Sequence, residues 1–193
     1  MIDGNEGKRM KILVITGSPH QKGTTAVLAE QFIKGAEEAG HDIFRFDAAF
    51  HDIHPCIACE RCHTTDKGCT FQDDMQELNP KLLEAEAVVF VSPVYYYAIN
   101  AQIKAVIDRF YANDAALHKN KKTVLMLTMA DTTMESADGT IVSFKGMAQF
   151  LGWDIAGIIV GVNCGDVEAL NQTEYPNQAY QLGKQICSSD TLF

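Results

Sequence analysis

Residues 11–25 read Lys-Ile-Leu-Val-Ile-Thr-Gly-Ser-Pro-His-Gln-Lys-Gly-Thr-Thr, and this stretch decides the fold. Its first six residues form a nearly all-apolar run that ends at Gly17, which is typical of a strand buried on both faces of a parallel sheet. Thr24 and Thr25 can cap a following helix, whose apolar residues recur at helical spacing until Gly40. The stretch therefore predicts a strand, a loop and a helix, the first unit of an α/β fold.

The same alternation continues along the chain. Further strands are predicted at residues 43–46, 87–91, 123–128 and 155–162, and helices at 101–111, 140–151 and 177–187. Another helix is predicted to start near Asp73, and Pro80 interrupts or restarts it. Five apolar strands separated by helices, with no internal repeat, predict a three-layer, doubly wound, five-stranded parallel sheet. We interpret residues 10–193 as one domain and residues 1–9 as a disordered extension. In such a sheet, a ligand binds beyond the carboxyl ends of the strands.

Composition excludes two classes of partner. The chain has 16 Lys and Arg residues against 25 Asp and Glu, a formal net charge of −9, which would repel a nucleic-acid backbone. The longest stretch without a charged residue, 87–103, has 17 residues and is interrupted by polar ones, whereas a membrane helix needs about 20 mostly apolar residues. The amino terminus has no secretory signal pattern. We therefore expect a cytoplasmic protein that binds neither nucleic acid nor membrane.

The loop after the first strand is the first candidate site. Its backbone amides and hydroxyl groups lie at a helix N-terminus, where an anion is favoured. The loop matches neither a Walker A motif nor Gly-x-Gly-x-x-Gly, which disfavours ATP and Rossmann-type dinucleotides. A hydroxyl-rich loop of this kind suits a terminal phosphate such as that of FMN, and the alternative is a plain glycine-rich turn with a threonine cap. The candidate residues here are Ser18, His20, Gly23, Thr24 and Thr25.

An aromatic run follows the third predicted strand. Residues 92–97 read Ser-Pro-Val-Tyr-Tyr-Tyr and would lie beside the phosphate loop at the same sheet edge. A flavin ring needs an apolar slot and a few backbone donors, and this loop can supply both. The alternative is that the tyrosines pack under the next helix, which we expect of one or two of the three. The candidate residues are Ser92, Pro93, Val94, Tyr95 and Tyr96.

A cysteine-rich loop at about residues 54–71 follows the second strand. Cys56, Cys59, Cys62 and Cys69 give the spacing C-x2-C-x2-C-x6-C. Three thiolates at successive i, i+3 positions with a fourth nearby can bind a [4Fe-4S] cluster, as in ferredoxins. Structural zinc, a redox disulfide and plain thiols remain alternatives.

Together, the two loops and residues 102–111, Gln-Ile-Lys-Ala-Val-Ile-Asp-Arg-Phe-Tyr, resemble the NAD(P)H-dependent FMN reductase family, and within it the iron-sulfur flavoproteins. The resemblance implies a flavodoxin-like fold with strand order 2-1-3-4-5. It implies FMN bound by the loops after strands one, three and four, the last of which contains Ala130 and Asp131. It also implies a [4Fe-4S] cluster on the cysteine motif, and a homodimer or homotetramer.

The leading functional interpretation is an oxidoreductase that passes electrons through FMN, so that no side chain needs to act as an acid or base. Its electron donor would be NAD(P)H or a ferredoxin, and its acceptor a small molecule. A non-enzymatic flavodoxin-type electron carrier and a zinc-stabilised binding module are the alternatives. A basic run at residues 118–122, His-Lys-Asn-Lys-Lys, can dock an acidic electron donor or be a solvated loop.

Overall fold

A sheet of five parallel strands forms the centre of the molecule. The structure is a computed structural model that describes residues 9–187. The strands are β1 (Lys11–Thr16), β2 (Asp42–Asp47), β3 (Ala87–Tyr95), β4 (Ala98–Ile99), β5 (Lys122–Thr128) and β6 (Asp154–Gly161). The α-helices are α1 (Thr24–Glu38), α2 (Arg61–Thr64), α3 (Met75–Glu84), α4 (Ala101–Asp108), α5 (Asp114–Leu117), α6 (Asp138–Leu151), α7 (Val167–Asn171) and α8 (Tyr175–Gln185). Within the described residues, 3-10 helices lie at Ala48–Phe50, Arg109–Asn113 and Met134–Ala137.

The strand order of the sheet is β2-β1-β3-β5-β6, and the short β4 pairs only with β3. All four junctions along this path are parallel. Without β4 in the count, the order is the predicted 2-1-3-4-5, so the flavodoxin-like topology is confirmed. Because parallel strands share a direction, the loops after β1, β3, β5 and β6 emerge at one edge of the sheet.

Two apolar clusters cover the two faces of the sheet. One face carries α1 and α8, with Phe32 and Leu182 buried against Val14 and Val89. The other carries α3, α4 and α6, with residues such as Leu78 packed against the sheet. Helices α1 and α8 approach closely at Gly35, where a Cβ atom would lie 2.0 Å from the Tyr180 carbonyl oxygen, so the absence of a side chain allows the contact. The three-layer arrangement predicted from the sequence is therefore confirmed.

The segment after β3 is a β-hairpin rather than a plain loop. Val94 and Tyr95 pair antiparallel with Ile99 and Ala98. The two turn residues, Tyr96 and Tyr97, have φ angles of 48° and 64°, the left-handed region that hairpin turns of this kind require. The sequence did not predict this turn because Asn or Gly is usual there. Tyr95, Tyr96 and Tyr97 are all exposed, so the expectation that one or two of them pack under the next helix was wrong.

Other boundaries differ from the prediction for local reasons. Helix α3 continues through Pro80 instead of breaking there. The helix predicted at residues 101–111 ends at Asp108, and the chain continues as the 3-10 helix Arg109–Asn113. Tyr111 of this 3-10 helix is hydrogen-bonded to Glu60 in the cysteine-rich loop. Met10 is buried, and the start of the domain at residue 10 stays a prediction. Residues 1–8 of the predicted disordered extension lie outside the described residues. Within the described part of the chain, no helix is long and apolar enough to cross a membrane.

Candidate functional site

A cavity of about 530 Å³ opens at the carboxyl edge of the sheet. We call it the strand-end cavity. Its walls come from the loops that follow β1, β3, β5 and β6, as the doubly wound topology predicts. Its volume lies within the range of small-molecule sites. The lining residues are Ser18, His20, Thr24, Thr25, Pro93, Val94, Tyr95, Thr128, Met129, Ala130, Cys164, Gly165, Asp166 and Val167.

The structure brings eight of the twelve predicted cofactor residues together in this cavity: Ser18, His20, Thr24, Thr25, Pro93, Val94, Tyr95 and Ala130. The other four do not line it. Gly23 closes a turn within the loop, and its amide donates to the His20 carbonyl at 3.0 Å. Tyr96 projects from the hairpin turn and is 99% exposed.

The first helix presents an uncapped N-terminus to this cavity. Gly23 is the N-cap residue of α1, and no described side chain caps it. The first amides of a helix have no intrahelical partner, and together with the helix dipole they favour an anion. Hydroxyl groups of Thr24 and Thr128 are hydrogen-bonded across the cavity wall at 2.8 Å, and the Ser18 hydroxyl accepts the His20 amide at 3.1 Å. The arrangement fits a phosphate group.

Ser92 lies beside the cavity and outside its lining. It is fully buried, and its hydroxyl donates to the side-chain oxygen of Asn100 at 3.0 Å and accepts the Asn100 amide at 3.1 Å. The Asn100 side chain in turn donates to the Gly17 carbonyl. A Cβ atom on Gly17 would lie 2.1 Å from this side chain, so only glycine fits. This buried network ties the hairpin to the loop after β1, and the sequence did not single out Asn100.

The loops after β5 and β6 are also joined. The Cys164 amide donates to the Met129 carbonyl at 2.8 Å, and the Asn163 amide to the Asp131 carbonyl at 2.7 Å. The Asp131 carboxylate points into its own loop, where it accepts the Ser136 hydroxyl at 2.6 Å. That hydrogen bond, with two backbone amides, lowers the pKa of Asp131. Asp131 therefore shapes the loop and does not line the strand-end cavity.

A second, much smaller cavity of about 20 Å³ brings the four clustered cysteines together. We call it the cysteine cavity, and it shares no lining residue with the strand-end cavity. Burial raises the pKa of the Cys62 thiol, and the neighbouring charges of Cys69, Cys56 and Cys59 raise it further. Within residues 9–187, no group of three or more His, Cys, Asp or Glu side chains is placed to hold a single metal ion. Besides the four cysteines, the cavity is lined by Ile57, Ala58, Glu60, Thr70, Phe71, Asp108, Arg109, Tyr111 and Ala112.

The backbone between the cysteines is strained. Ala58 and Glu60 have φ angles of 53° and 59°, a conformation that residues with a side chain rarely adopt. The Ala58 amide points at the Cys56 sulfur at 3.5 Å. Strain of this kind persists only where the surroundings fix it, and it is common at ligand sites. The four thiols line one cavity, with Cys56 and Cys59 exposed and Cys62 and Cys69 half-buried. Four cysteine sulfurs are the donor set that an iron-sulfur cluster takes.

The cysteine segment, residues 54–71, is fixed to the 3-10 helix Arg109–Asn113. Tyr111 takes part twice, since its hydroxyl donates to the Glu60 carboxylate at 2.8 Å and its carbonyl contacts His63 Nε2 at 2.8 Å. Arg109 forms a buried ion pair with Asp73, with nitrogen to oxygen distances of 2.6 and 3.1 Å. Burial alone would raise the pKa of Asp73, but hydrogen bonds from Arg109 and the His54 amide lower it.

Comparison of the sequence with models of known protein families identifies the family of this chain. The model of the NADPH-dependent FMN reductase family matches residues 10–153 of the chain. The chain belongs to this family. The matched residues include the loops after β1, β3 and β5, and the whole cysteine segment, so both cavities of this FMN reductase family member lie largely within the match.

Relatives of this FMN reductase family member include iron-sulfur flavoproteins. One from Archaeoglobus fulgidus is 42% identical over 105 residues, which are 54% of this chain and 53% of that protein. One from Methanocaldococcus jannaschii is 34% identical over 100 residues, 52% of this chain and 51% of that protein. The chain thus spans about half the length of the curated relatives it matches.

Solved structures support the fold assignment for this family member. The NAD(P)H:quinone oxidoreductase from Methanothermobacter marburgensis superposes with a TM-score of 0.72 at 17% identity, over 95% of this chain and all of that one. An FMN-dependent NADH-azoreductase from Bacillus anthracis gives a TM-score of 0.65 at 13% identity, over 92% of this chain and 99% of that one. At these identities the likeness shows the flavodoxin-like fold.

The basic run at residues 118–122 lies away from the strand-end cavity. It precedes β5, so it is at the amino edge of the sheet, whereas the cavity is at the carboxyl edge. Lys121 is buried and its ammonium donates to the carbonyls of Leu82 and Leu83 at 3.1 and 3.2 Å, and to that of Ala85. Burial lowers the pKa of Lys121. Lys121 therefore caps the last carbonyl groups of α3. The run offers fewer exposed charges to a partner than its sequence suggests.

Proposed function

We propose that this protein is an FMN-dependent oxidoreductase with FMN in the strand-end cavity. The observation that carries the proposal is the uncapped N-terminus of α1, which opens on a cavity edged with hydroxyl groups. Bound FMN would supply hydride and single-electron transfer, which the side chains of this cavity cannot perform alone. Family membership supports the same cofactor.

The residues of the cavity divide by chemistry. Ser18, Thr24 and Thr25 would hold the phosphate with the first amides of α1. His20 adds a ring nitrogen at the same loop. Pro93, Val94 and Tyr95 form the wall on which the ring system would rest, while Ala130 closes the cavity from the loop after β5. Gly23, Ser92, Tyr96 and Asp131 stay predictions as cofactor residues, since they lie outside the cavity lining.

We further propose that Cys56, Cys59, Cys62 and Cys69 hold one [4Fe-4S] cluster. Their joint presence in one cavity, the strained backbone between them and the amide directed at Cys56 support this ligand set. Four thiolates in one cavity repel one another, and bound iron would offset that charge. The names of the relatives point to the same group.

The partners are part of the same proposal. The electron donor would be NAD(P)H, with a ferredoxin as an alternative donor through the cluster, and the acceptor would be a small molecule such as a quinone or free flavin. The hairpin tyrosines and Ile57 of the cysteine segment are exposed, and a homodimer or homotetramer would cover such surface.

The test uses protein purified without oxygen. We expect about one FMN per chain, about four iron and four sulfide per chain, and steady oxidation of NAD(P)H when a quinone is present. A flavodoxin-type carrier would hold FMN yet show no turnover with NAD(P)H. A colourless protein that takes up no FMN in calorimetry would overturn the flavin assignment, and zinc in place of iron would overturn the cluster.

A further inference from the structure

Arg109 is the buried cation of the cysteine cavity. Its side chain is 3% exposed and lines the cavity together with the four cysteines. Because the guanidinium itself is shielded from water, its charge acts on neighbouring groups more strongly than a surface charge does.

The same guanidinium joins both ends of the cysteine segment. One nitrogen donates to the His54 carbonyl at 2.8 Å, just before Cys56, and both terminal nitrogens donate to Asp73, just after Cys69. The group also lies over the Phe71 ring, 5.3 Å from its centroid. A planar guanidinium can make these contacts at once, whereas a lysine ammonium cannot reproduce the fork.

One donor of Arg109 is left over. Its Nε atom is buried and has no hydrogen-bond partner in the part of the chain that the structure describes. A buried N–H without an acceptor is costly and is rarely left in that state. Sulfur atoms are the acceptors that a cluster held by the four cysteines would offer to it, since those cysteines and Arg109 line the same cavity.

We propose that Arg109 is a positioning residue that holds the cysteine segment around the cluster and raises the reduction potential of that cluster. This inference rests on the proposed function, because it requires the cluster. A cluster gains one negative charge when it takes up an electron, so a fixed positive charge beside it favours the reduced form. Asp73 acts in the opposite direction, because its carboxylate offsets the charge of Arg109.

The experiment is a redox titration of the cluster, followed by electron paramagnetic resonance, on anaerobically purified wild type, Arg109→Met, Arg109→Lys and Asp73→Asn. We expect Arg109→Met to lower the equilibrium constant of one-electron reduction about tenfold, which is about 59 mV for one electron. Asp73→Asn should raise it by a similar factor. Arg109→Lys, which keeps the charge and loses the fork, should shift it less than Arg109→Met.

Arg61→Met is the matched control. Arg61 belongs to the same cysteine segment and directly precedes Cys62, but its guanidinium contacts Thr70 at 3.4 Å and does not line the cavity. Arg61 is half-buried, whereas the Arg109 side chain is 3% exposed. Water screens the charge of Arg61 more, so its loss should change the equilibrium constant several-fold less than the loss of Arg109.

The outcomes separate the two proposals. Opposite signs for Arg109→Met and Asp73→Asn support the inference, because damage to the loop would act in the same direction in both. If Arg109→Met retains no iron, the rise expected for Asp73→Asn carries the test. Wild type with iron and unshifted or same-sign variants would overturn the role of Arg109 alone. Wild type without iron or sulfide would overturn the cluster and this inference together, while bound FMN would still support the flavin site.

Discussion

The strand-end cavity is lined by loops from four neighbouring strands of one sheet, whereas the cysteine cavity is lined by one long segment and the 3-10 helix beside it. In the first, the sheet itself fixes the relative positions of Thr24, Pro93 and Met129. In the second, side chains such as Arg109 and Tyr111 hold a loop that has little regular structure. The strand-end cavity therefore follows from the sheet topology, whereas the cysteine cavity depends on a few side-chain contacts.

Asp73→Ala tests whether the cysteine segment depends on its buried ion pair with Arg109, and it has the largest expected effect. Removing the carboxylate leaves Arg109 buried and uncompensated, which is expected to lower the free energy of unfolding by roughly 3–5 kcal/mol. The measurement is urea denaturation at pH 7. FMN affinity of the folded variant should stay within about twofold of wild type, because Asp73 does not line the strand-end cavity. A matched loss at Asp74→Ala, a more exposed carboxylate, would contradict the role of burial.

The same pair predicts an acid dependence. The pKa of Asp73 is lower in the folded state than its unfolded value of about 3.9. Its contribution to stability is therefore present above pH 4 and is lost as the pH falls through the folded pKa. Unfolding measured between pH 7 and pH 3 should show a steeper acid loss for wild type than for Asp73→Asn. Equal slopes would count against a depressed pKa.

The converse change is Thr24→Glu, which puts a carboxylate at the N-terminus of α1. Repulsion of the FMN phosphate should weaken FMN binding about a hundredfold, or about 2.7 kcal/mol. Calorimetric titration of the flavin-free protein measures it. Gln31→Glu adds the same charge on the same helix, about 10 Å along its axis, and should change the affinity less than threefold. Iron content should be unchanged in both variants, and its loss in Thr24→Glu would show that the two cavities are coupled.

Much of the first site could be predicted because strand ends are visible in the sequence. The apolar run before Gly17 and the one before Ser92 mark two loops at one sheet edge, and Thr24 and Pro93 follow from them. The loop after β6 was not assigned to the site, although its position after the last parallel strand was a usable signal. It contributes Cys164 and Asp166 to the cavity.

The remaining differences come from contacts that only the folded chain makes. Ser92 looks like a ligand in sequence, yet its hydroxyl is used by Asn100, eight residues later. Likewise, nothing in the spacing of the cysteines shows that Arg109, far along the chain, closes their segment. The hairpin at Tyr96 was missed because tertiary contacts, such as the 3.4 Å one from the Thr140 hydroxyl to the Tyr97 carbonyl, fix a turn that local preference disfavours.

Lys121→Met tests a region that belongs to neither cavity. The substitution removes the ammonium that donates to three carbonyl groups at the end of α3, and we expect a loss of about 1–3 kcal/mol in the free energy of unfolding. Lys119→Met, at an exposed position of the same run, should stay within about 0.5 kcal/mol. Thermal unfolding measures both. We expect Lys121→Met to bind FMN and iron as the wild type does. If an acidic donor protein reduces Lys119→Met more weakly than it reduces Lys121→Met and the wild type, the result would support the basic run as a docking site.

The smallest expected effect concerns the hairpin turn. Tyr97 has a φ angle of 64° and is 64% exposed, so its side chain gives little packing in return for the strained backbone. Tyr97→Gly should raise the free energy of unfolding by about 0.5–1 kcal/mol, because relief of roughly 1–2 kcal/mol exceeds the added chain entropy of glycine. Chemical denaturation of the flavin-free protein measures the change.

Tyr95→Gly supplies the opposite sign. Tyr95 lies in β3 and pairs with Ala98, where glycine weakens a strand, so this variant should lose about 0.5–1 kcal/mol. If Tyr97→Gly instead destabilises the protein, the turn is held by contacts of the tyrosine ring. If it stabilises the protein but weakens FMN binding, the strained backbone at Tyr97 helps to shape the strand-end cavity. We expect the strained backbone at Ala58 and Glu60 to shape the cysteine cavity in the same way. Both cavities would then depend on local backbone strain, which the sheet topology alone does not require.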